Sequence, residues 1–324
     1  MPLIARPVIT PPDPGGPPPT PVPLPAVGTA TATYTDPAGT LWPLTTAGLG
    51  WFTLAAGVSG LGAAPYELTT DAHPRGGARL RHAQAQPRAI VWPLHVWGDS
   101  HVEFVGRWRQ LARAFTRTLR EGPGWLEITR PDGNRRRIAV YYQQGFEGLG
   151  TKGAGIVSDT AVLTLWCEDP YWIDPVEVLV HREAGAPSPF FAPFPTVSSS
   201  QILGSTEVDN PGDVVVWPTW TITGPASQIT FTNTDTGEAF ALDPSQVEHG
   251  ALLAGEQVVV STDPPQVRYQ DGTEDGANWS GALNWPEAVL WGLGDGANAV
   301  TFQLDGSGPG SAVDLRFNPR YETA

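Results

Sequence analysis

Cysteine occurs once in this chain, at Cys167, so no intrachain disulfide can form and folding in a reducing compartment is compatible with the composition. Lysine also occurs once, at Lys152, and every other cation is an arginine. No apolar run is long enough for a transmembrane helix, and prolines from Pro2 onward interrupt the apolar stretch that a signal peptide requires. Helix-type spacing of apolar residues is scarce and confined to one place. Turn formers are plentiful instead, with 37 glycines and 34 prolines in 324 residues. That balance excludes a helical bundle and favours a mainly all-β protein with many turns.

The formal charge of −14 is unevenly placed. Through Asp174, 15 Lys/Arg face 14 Asp/Glu; after it, 4 cations (Arg182, Arg268, Arg316 and Arg320) face 19 acids. This asymmetry indicates two units with different surroundings. The acidic second half argues against specific nucleic-acid binding, which requires cations to displace phosphate counterions.

The chain divides by composition. Residues 1–28 form a proline-rich arm, TPPDPGGPPPTPVPLP at its centre, with too few apolar residues for a core and a bias to extended polyproline II geometry. We expect such an arm to dock onto a neighbouring subunit or a second protein. Residues 29–174 read as a β unit of short runs, with turns at Asp36-Pro37-Ala38-Gly39 and Pro131-Asp132-Gly133-Asn134. Asp71 to Arg88 reads as an arginine-bearing loop or hairpin. Within this unit, Ser100 to Glu121 is predicted to be the one long helix. Ser100 and Glu103 have capping-box spacing, Gly122 and Pro123 stop the helix, and Val105, Trp108, Leu111, Ala112, Phe115 and Leu119 are predicted to form its apolar stripe. Residues 175–200 read as a connector. Residues 201–324 read as short strands at regular spacing, the pattern of a β-sandwich or jelly roll.

No catalytic constellation emerges. Gly57-Val58-Ser59-Gly60 lacks the last glycine of a nucleophile elbow and its strand-to-helix context. Gly145 to Lys152 suggests a phosphate loop only superficially, because a strand pattern follows it. His73, His82, His95, His101, His181 and His249 show no ligand spacing, and Asp271-Gly272-Thr273-Glu274-Asp275-Gly276 lacks the bidentate glutamate of a calcium loop at Ala282. No enzyme activity, cofactor or metal is expected. The tryptophans of the second half admit a different function: Trp217, Trp220 and Trp279 are candidates for stacking on sugar rings, as in a carbohydrate-binding module on cell-wall glycans. Trp217 and Trp220 lie an odd number of residues apart, so one of them should face outward.

Three blocks of the first half resemble the N-terminal domain of phage distal tail proteins: PRAIVWPLHVWGDSHVEFVGRWRQLARAF, GPGWLEITRPDGNRRRIAVYY and AVLTLWCEDPYW. In the second half VDNPGDVVVWPTWTITGP, FTNTDTGEAFAL and AVLWGLGDGANAVTF resemble that family's C-terminal domain. The resemblance spans the chain from about Thr29, and the proline-rich arm departs from it. It implies an N-terminal belt domain, a β-sandwich or barrel with one flanking helix, followed by a galectin-like sandwich. It further implies a homo-oligomeric ring of six copies at the distal end of a long-tailed phage tail. The partners implied are the tail tube protein, the tail-tip hub and receptor-binding or fibre proteins, in the virion after assembly in the host cytoplasm. In such a ring, Arg75, Arg79, Arg81, Arg109, Arg113, Arg117 and Lys152 are the residues expected to meet neighbouring subunits, their guanidinium forks suiting carboxylates.

Overall fold

A computed structural model describes residues 29–46, 48–148, 155–184, 204–270 and 276–324. The proline-rich arm, Lys152 and most of the calcium-like acidic loop lie outside the described residues. The strands of the first half are β1 (Thr31–Thr35), β2 (Leu41–Pro43), β3 (Trp51–Thr53), β4 (Tyr66–Ala72), β5 (Ala78–Ala85), β6 (Arg88–Trp97), β7 (Gly124–Thr129), β8 (Arg135–Gln144), β9 (Ser158–Cys167) and β10 (Trp172–Ile173). Those of the second half are β11 (Val178–Glu183), β12 (Gly204–Asn210), β13 (Thr219–Thr223), β14 (Gln228–Asn233), β15 (Ala239–Leu242), β16 (Gln257–Thr262), β17 (Pro265–Gln270), β18 (Gly296–Asp305), β19 (Ala312–Phe317) and β20 (Arg320–Tyr321). The helices are α1 (His101–Thr116) and the single turn α2 (Thr118–Glu121).

Seven strands run antiparallel in the order β2-β1-β7-β8-β9-β6-β3. Period-two alternation in β7, β8 and β9 turns Leu126, Ile138, Val140, Leu163 and Leu165 inward. The helix closes this core. Ser100 Oγ accepts the Glu103 backbone N–H at 3.2 Å, and the Glu103 carboxylate takes the Asp99 N–H at 2.8 Å, one residue before the usual box position. The buried stripe is Phe104, Trp108, Leu111, Ala114 and Phe115, so Val105, Ala112 and Leu119 of the predicted stripe fall outside it. Val105 is only half-buried, and Leu119 is exposed on the single turn α2 that follows Arg117. Tyr34 stacks on Phe115 with ring centroids 4.1 Å apart, and its hydroxyl donates to the Ala114 carbonyl.

The second half packs a five-stranded sheet, β11-β19-β13-β16-β17, with a four-stranded one, β12-β18-β14-β15. An aromatic knot joins them. Trp220 stacks on Phe231 at 4.7 Å and meets Trp291 edge-on at 4.9 Å and Phe302 at 5.5 Å. Strand β11 falls within the stretch read as a connector. It is an edge strand, half-buried at Val178 and Val180 and exposed between them, so its alternation is weak in sequence.

The chain then returns to its starting sheet. Strand β20 pairs with β10, through Trp172↔Tyr321 and Ile173↔Arg320, while β10 also pairs with β8. Residues 178–317 therefore form a sandwich inserted between two adjacent strands of the first unit.

Candidate assembly surfaces

Strands β4 and β5 pair only with each other. Their turn, His73-Pro74-Arg75-Gly76-Gly77, needs left-handed backbone at Gly76 and Gly77, with φ of 91° and 83°. Every residue of β4 and all but Ala85 of β5 are exposed. The register gives this ribbon two unlike faces. Tyr66, Leu68, Thr70, Leu80, Ala83 and Ala85 share one face; Glu67, Asp71, Arg79, His82 and Gln84 share the other, with the register shift after Thr69 keeping the sets apart. Leu68 is 60% and Leu80 55% exposed, so nothing among the described residues covers the apolar face. A lone two-stranded hairpin is marginal in water. At its base the ribbon is anchored, since the Tyr66 hydroxyl bonds Tyr171 Oη at 3.0 Å and Glu322 at 2.8 Å. Those two hydrogen bonds raise the Tyr66 phenol above its usual range.

The arginines expected at interfaces are divided. Arg81 is ion-paired to Asp71 on its own ribbon, and Arg79 sits opposite Asp71 in register. Arg75 lies exposed at the turn. Arg117 pairs with Asp36 at 3.5 Å and Glu121 at 3.0 Å, so its charge is largely engaged within the chain. Arg109 and Arg113 are exposed and make no ion pair among the described residues. The apolar ribbon face escaped the sequence reading, which weighed arginines there; the alternation of Leu68 with Thr69, and of Leu80 with Arg81, was the available signal.

Burial corrects the sugar-stacking set. Trp220 is fully buried and Trp279 is 3% exposed, stacked on Tyr269 at 5.0 Å, so neither offers a face to a ligand. Trp217 is 45% exposed, in keeping with opposite facing of Trp217 and Trp220. Among the described residues no group of three or more His, Cys, Asp or Glu is placed to hold a metal, and no helix is long and apolar enough to cross a membrane. Cys167 is buried against the sheet, and that burial pushes its thiol up to about 12, far from a reactive thiolate.

A seam ties the returning C-terminal segment to the first unit, with one bond onward to the sandwich. Arg88, 3% exposed, donates to the carbonyls of Gly60 at 3.0 Å, Gly62 at 2.7 Å and Glu322 at 3.0 Å. Its desolvation lowers the guanidinium's affinity for its proton relative to water. Arg320 grips Asp169 with two bonds of 2.7 and 2.6 Å and donates to the Val215 carbonyl of the inserted sandwich at 3.2 Å. Arg136 stacks over the Tyr321 ring, 3.5 Å from its centroid.

The described residues thus form two β cores, with a ribbon that pairs with no other strand and a stitched seam. No family model and no curated protein matches the chain. Its fold is that of a distal tail protein. The crystal structure of SPP1 Dit (gp 19.1), described as a paradigm of the hub adsorption apparatus in phages infecting Gram-positive bacteria, matches with a TM-score of 0.62 at 15% identity, over 90% of this chain and 99% of that one. Chains of the phage P2 baseplate in its activated conformation match at 10% identity, over 92% of this chain and all of theirs, with TM-scores of 0.52 with Ca and 0.53 with Sr.

Proposed function

We propose that this protein is a structural component of a long-tailed phage tail tip. In this reading, six copies close into a ring that joins the tail tube to the hub, and receptor-binding or fibre proteins attach around it. Residues 29–174, completed by 319–324, form the belt, and the inserted sandwich is the outward, galectin-like part. The fold shared with SPP1 Dit and the P2 baseplate chains supports the tail assignment. The observation that carries the ring is the β4–β5 ribbon. Among the described residues its apolar face is uncovered, which suits contact with a neighbour, and one surface meeting a different surface on the next copy gives a ring when the rotation closes.

Arg75 would add a charge pair at the rim of that contact, and Arg109 and Arg113, exposed on the helix, would meet carboxylates elsewhere on a neighbour, where such pairs steer association more than they strengthen it. Electron microscopy of the purified protein tests the reading. Six-fold rings are expected from the natural chain, and none from one carrying Leu68→Asp with Leu80→Asp. Rings unchanged in that variant would remove the ribbon from the interface. The glycan reading keeps Trp217 alone of its three tryptophans, and a glycan-array measurement with Trp217→Ala separates it from the tail reading.

A further inference from the structure

We infer that Glu322 clamps the footing of the β4–β5 ribbon to the inserted sandwich, so that a shift of the sandwich against the belt re-aims the ribbon. Each polar group of Glu322 is committed. Its carboxylate accepts the Ala64 N–H and the Tyr66 hydroxyl, both at 2.8 Å, where the chain enters the ribbon. Its carbonyl accepts the buried Arg88 guanidinium at 3.0 Å, and its own N–H donates to the Asp213 carboxylate of the sandwich at 3.0 Å. One residue thus touches ribbon, belt and sandwich. Among the described residues, Tyr66 is the side chain of β4 or β5 whose hydrogen bonds leave the ribbon. Its proton goes to the Glu322 carboxylate, so Tyr171 donates to it. The loop ahead of Tyr66 is held at Gly60 and Gly62 by Arg88, and at Leu61 by the Ala324 N–H at 3.0 Å. A hairpin exposed along both strands takes its direction from this footing.

On the other side, the loop 211–215 moves with the sandwich. Asn210, 1% exposed, accepts the Gly212 N–H at 3.0 Å and donates to the carbonyls of Val214 at 3.1 Å and Gly294 at 3.0 Å. The loop grips the returning segment at three points. The Asp213 N–H donates to the Arg320 carbonyl at 2.8 Å, the Asp213 carboxylate takes the Glu322 N–H, and the Val215 carbonyl takes the Arg320 guanidinium at 3.2 Å. Gly212 permits this approach, since a Cβ there would lie 2.5 Å from the Arg320 carbonyl oxygen and 2.9 Å from its nitrogen. A second route runs beside the first. The Arg320 guanidinium lies over the Tyr171 ring, 4.6 Å from its centroid, and the Tyr171 hydroxyl holds Tyr66 at 3.0 Å. Both routes from the sandwich end on the Tyr66 hydroxyl. Coupling of this kind is reciprocal: what loosens the loop loosens the ribbon, and the reverse.

The test is pulsed amide hydrogen exchange on the full chain carrying Leu68→Asp with Leu80→Asp. That background removes contact between copies through the ribbon's apolar face, so the result stands whether or not the ring reading holds. Gly212→Ala, a substitution in the sandwich, should make the ladder amides of β4 and β5 exchange several-fold faster, with β13 and β16 unchanged. Asp213→Ala, which keeps the glycine and removes the acceptor of the Glu322 N–H, should act in the same direction. Conversely, Tyr66→Phe, a substitution in the ribbon, should speed exchange at residues 211–215. Ribbon exchange that keeps its rate in both sandwich variants, or rises only in step with β13 and β16, overturns the clamp. So does a 211–215 loop that ignores Tyr66→Phe.

Discussion

Arg88 is the residue on which the seam depends most. A buried guanidinium holding three carbonyls from two separate segments leaves all three unpaired when it is removed. Arg88→Met should therefore destabilise the protein by about 2–4 kcal/mol, read from urea unfolding. Tyr34 gives a pH-dependent counterpart. Its burial raises the phenol above its usual value, with the Asp36 charge adding to the effect. Below about pH 10 both folded and unfolded chains keep that proton, so the group's contribution is fully present; above it the unfolded chain releases the proton first and stability falls. Tyr66 acts in the same sense. Unfolding free energies at pH 8 and pH 11 should show this loss. Tyr34→Phe should cost about 1 kcal/mol at pH 8, for the bond to Ala114, and lessen the alkaline loss.

Among the elements, the ribbon and the helix respond oppositely to mutation. Leu68→Asp with Leu80→Asp places charge on a face already in water, so the unfolding midpoint should stay nearly constant while ring formation is lost, checked by calorimetry beside microscopy. Phe104→Ala instead empties the core under α1 and should cost about 3–5 kcal/mol by urea unfolding. The two elements also differ in how they read in sequence. The Ser100 cap, the Gly122 stop and the Pro131–Asn134 turn are local chemistry, and the structure has a helix and a hairpin at those places. The stripe's true members were harder to assign, because which of several apolar residues on one helix side face the sheet is set by tertiary packing, as in the stacking of Phe115 on Tyr34. Strands β10 and β20 were illegible for a related reason: each is two residues long and exists only by pairing across the chain. The ribbon's two faces were legible in principle, through alternation, but hidden by its arginines.

At the scale of the molecule, two connections rather than one join the inserted sandwich to the belt, through Asp174–Val178 and Phe317–Arg320. Arg320 locks that junction by binding Asp169 on one side and Val215 on the other. Arg320→Ala should leave each core folded yet loosen their relation. Limited proteolysis near residues 174–178 should accelerate, while near-ultraviolet circular dichroism of the buried tryptophans stays unchanged.

The same return of the chain imposes an order on synthesis. Trp172 leaves the ribosome about 150 residues before its partner Tyr321, an interval of roughly 10–30 seconds at the usual pace of translation. Throughout it, the belt lacks the strand that covers Trp172 and the carbonyl of Glu322 that receives Arg88. The sandwich is finished first, and the belt closes only afterwards. A chain stopped early would thus keep an unfilled edge at the seam, and in the proposed ring it would leave its position incomplete.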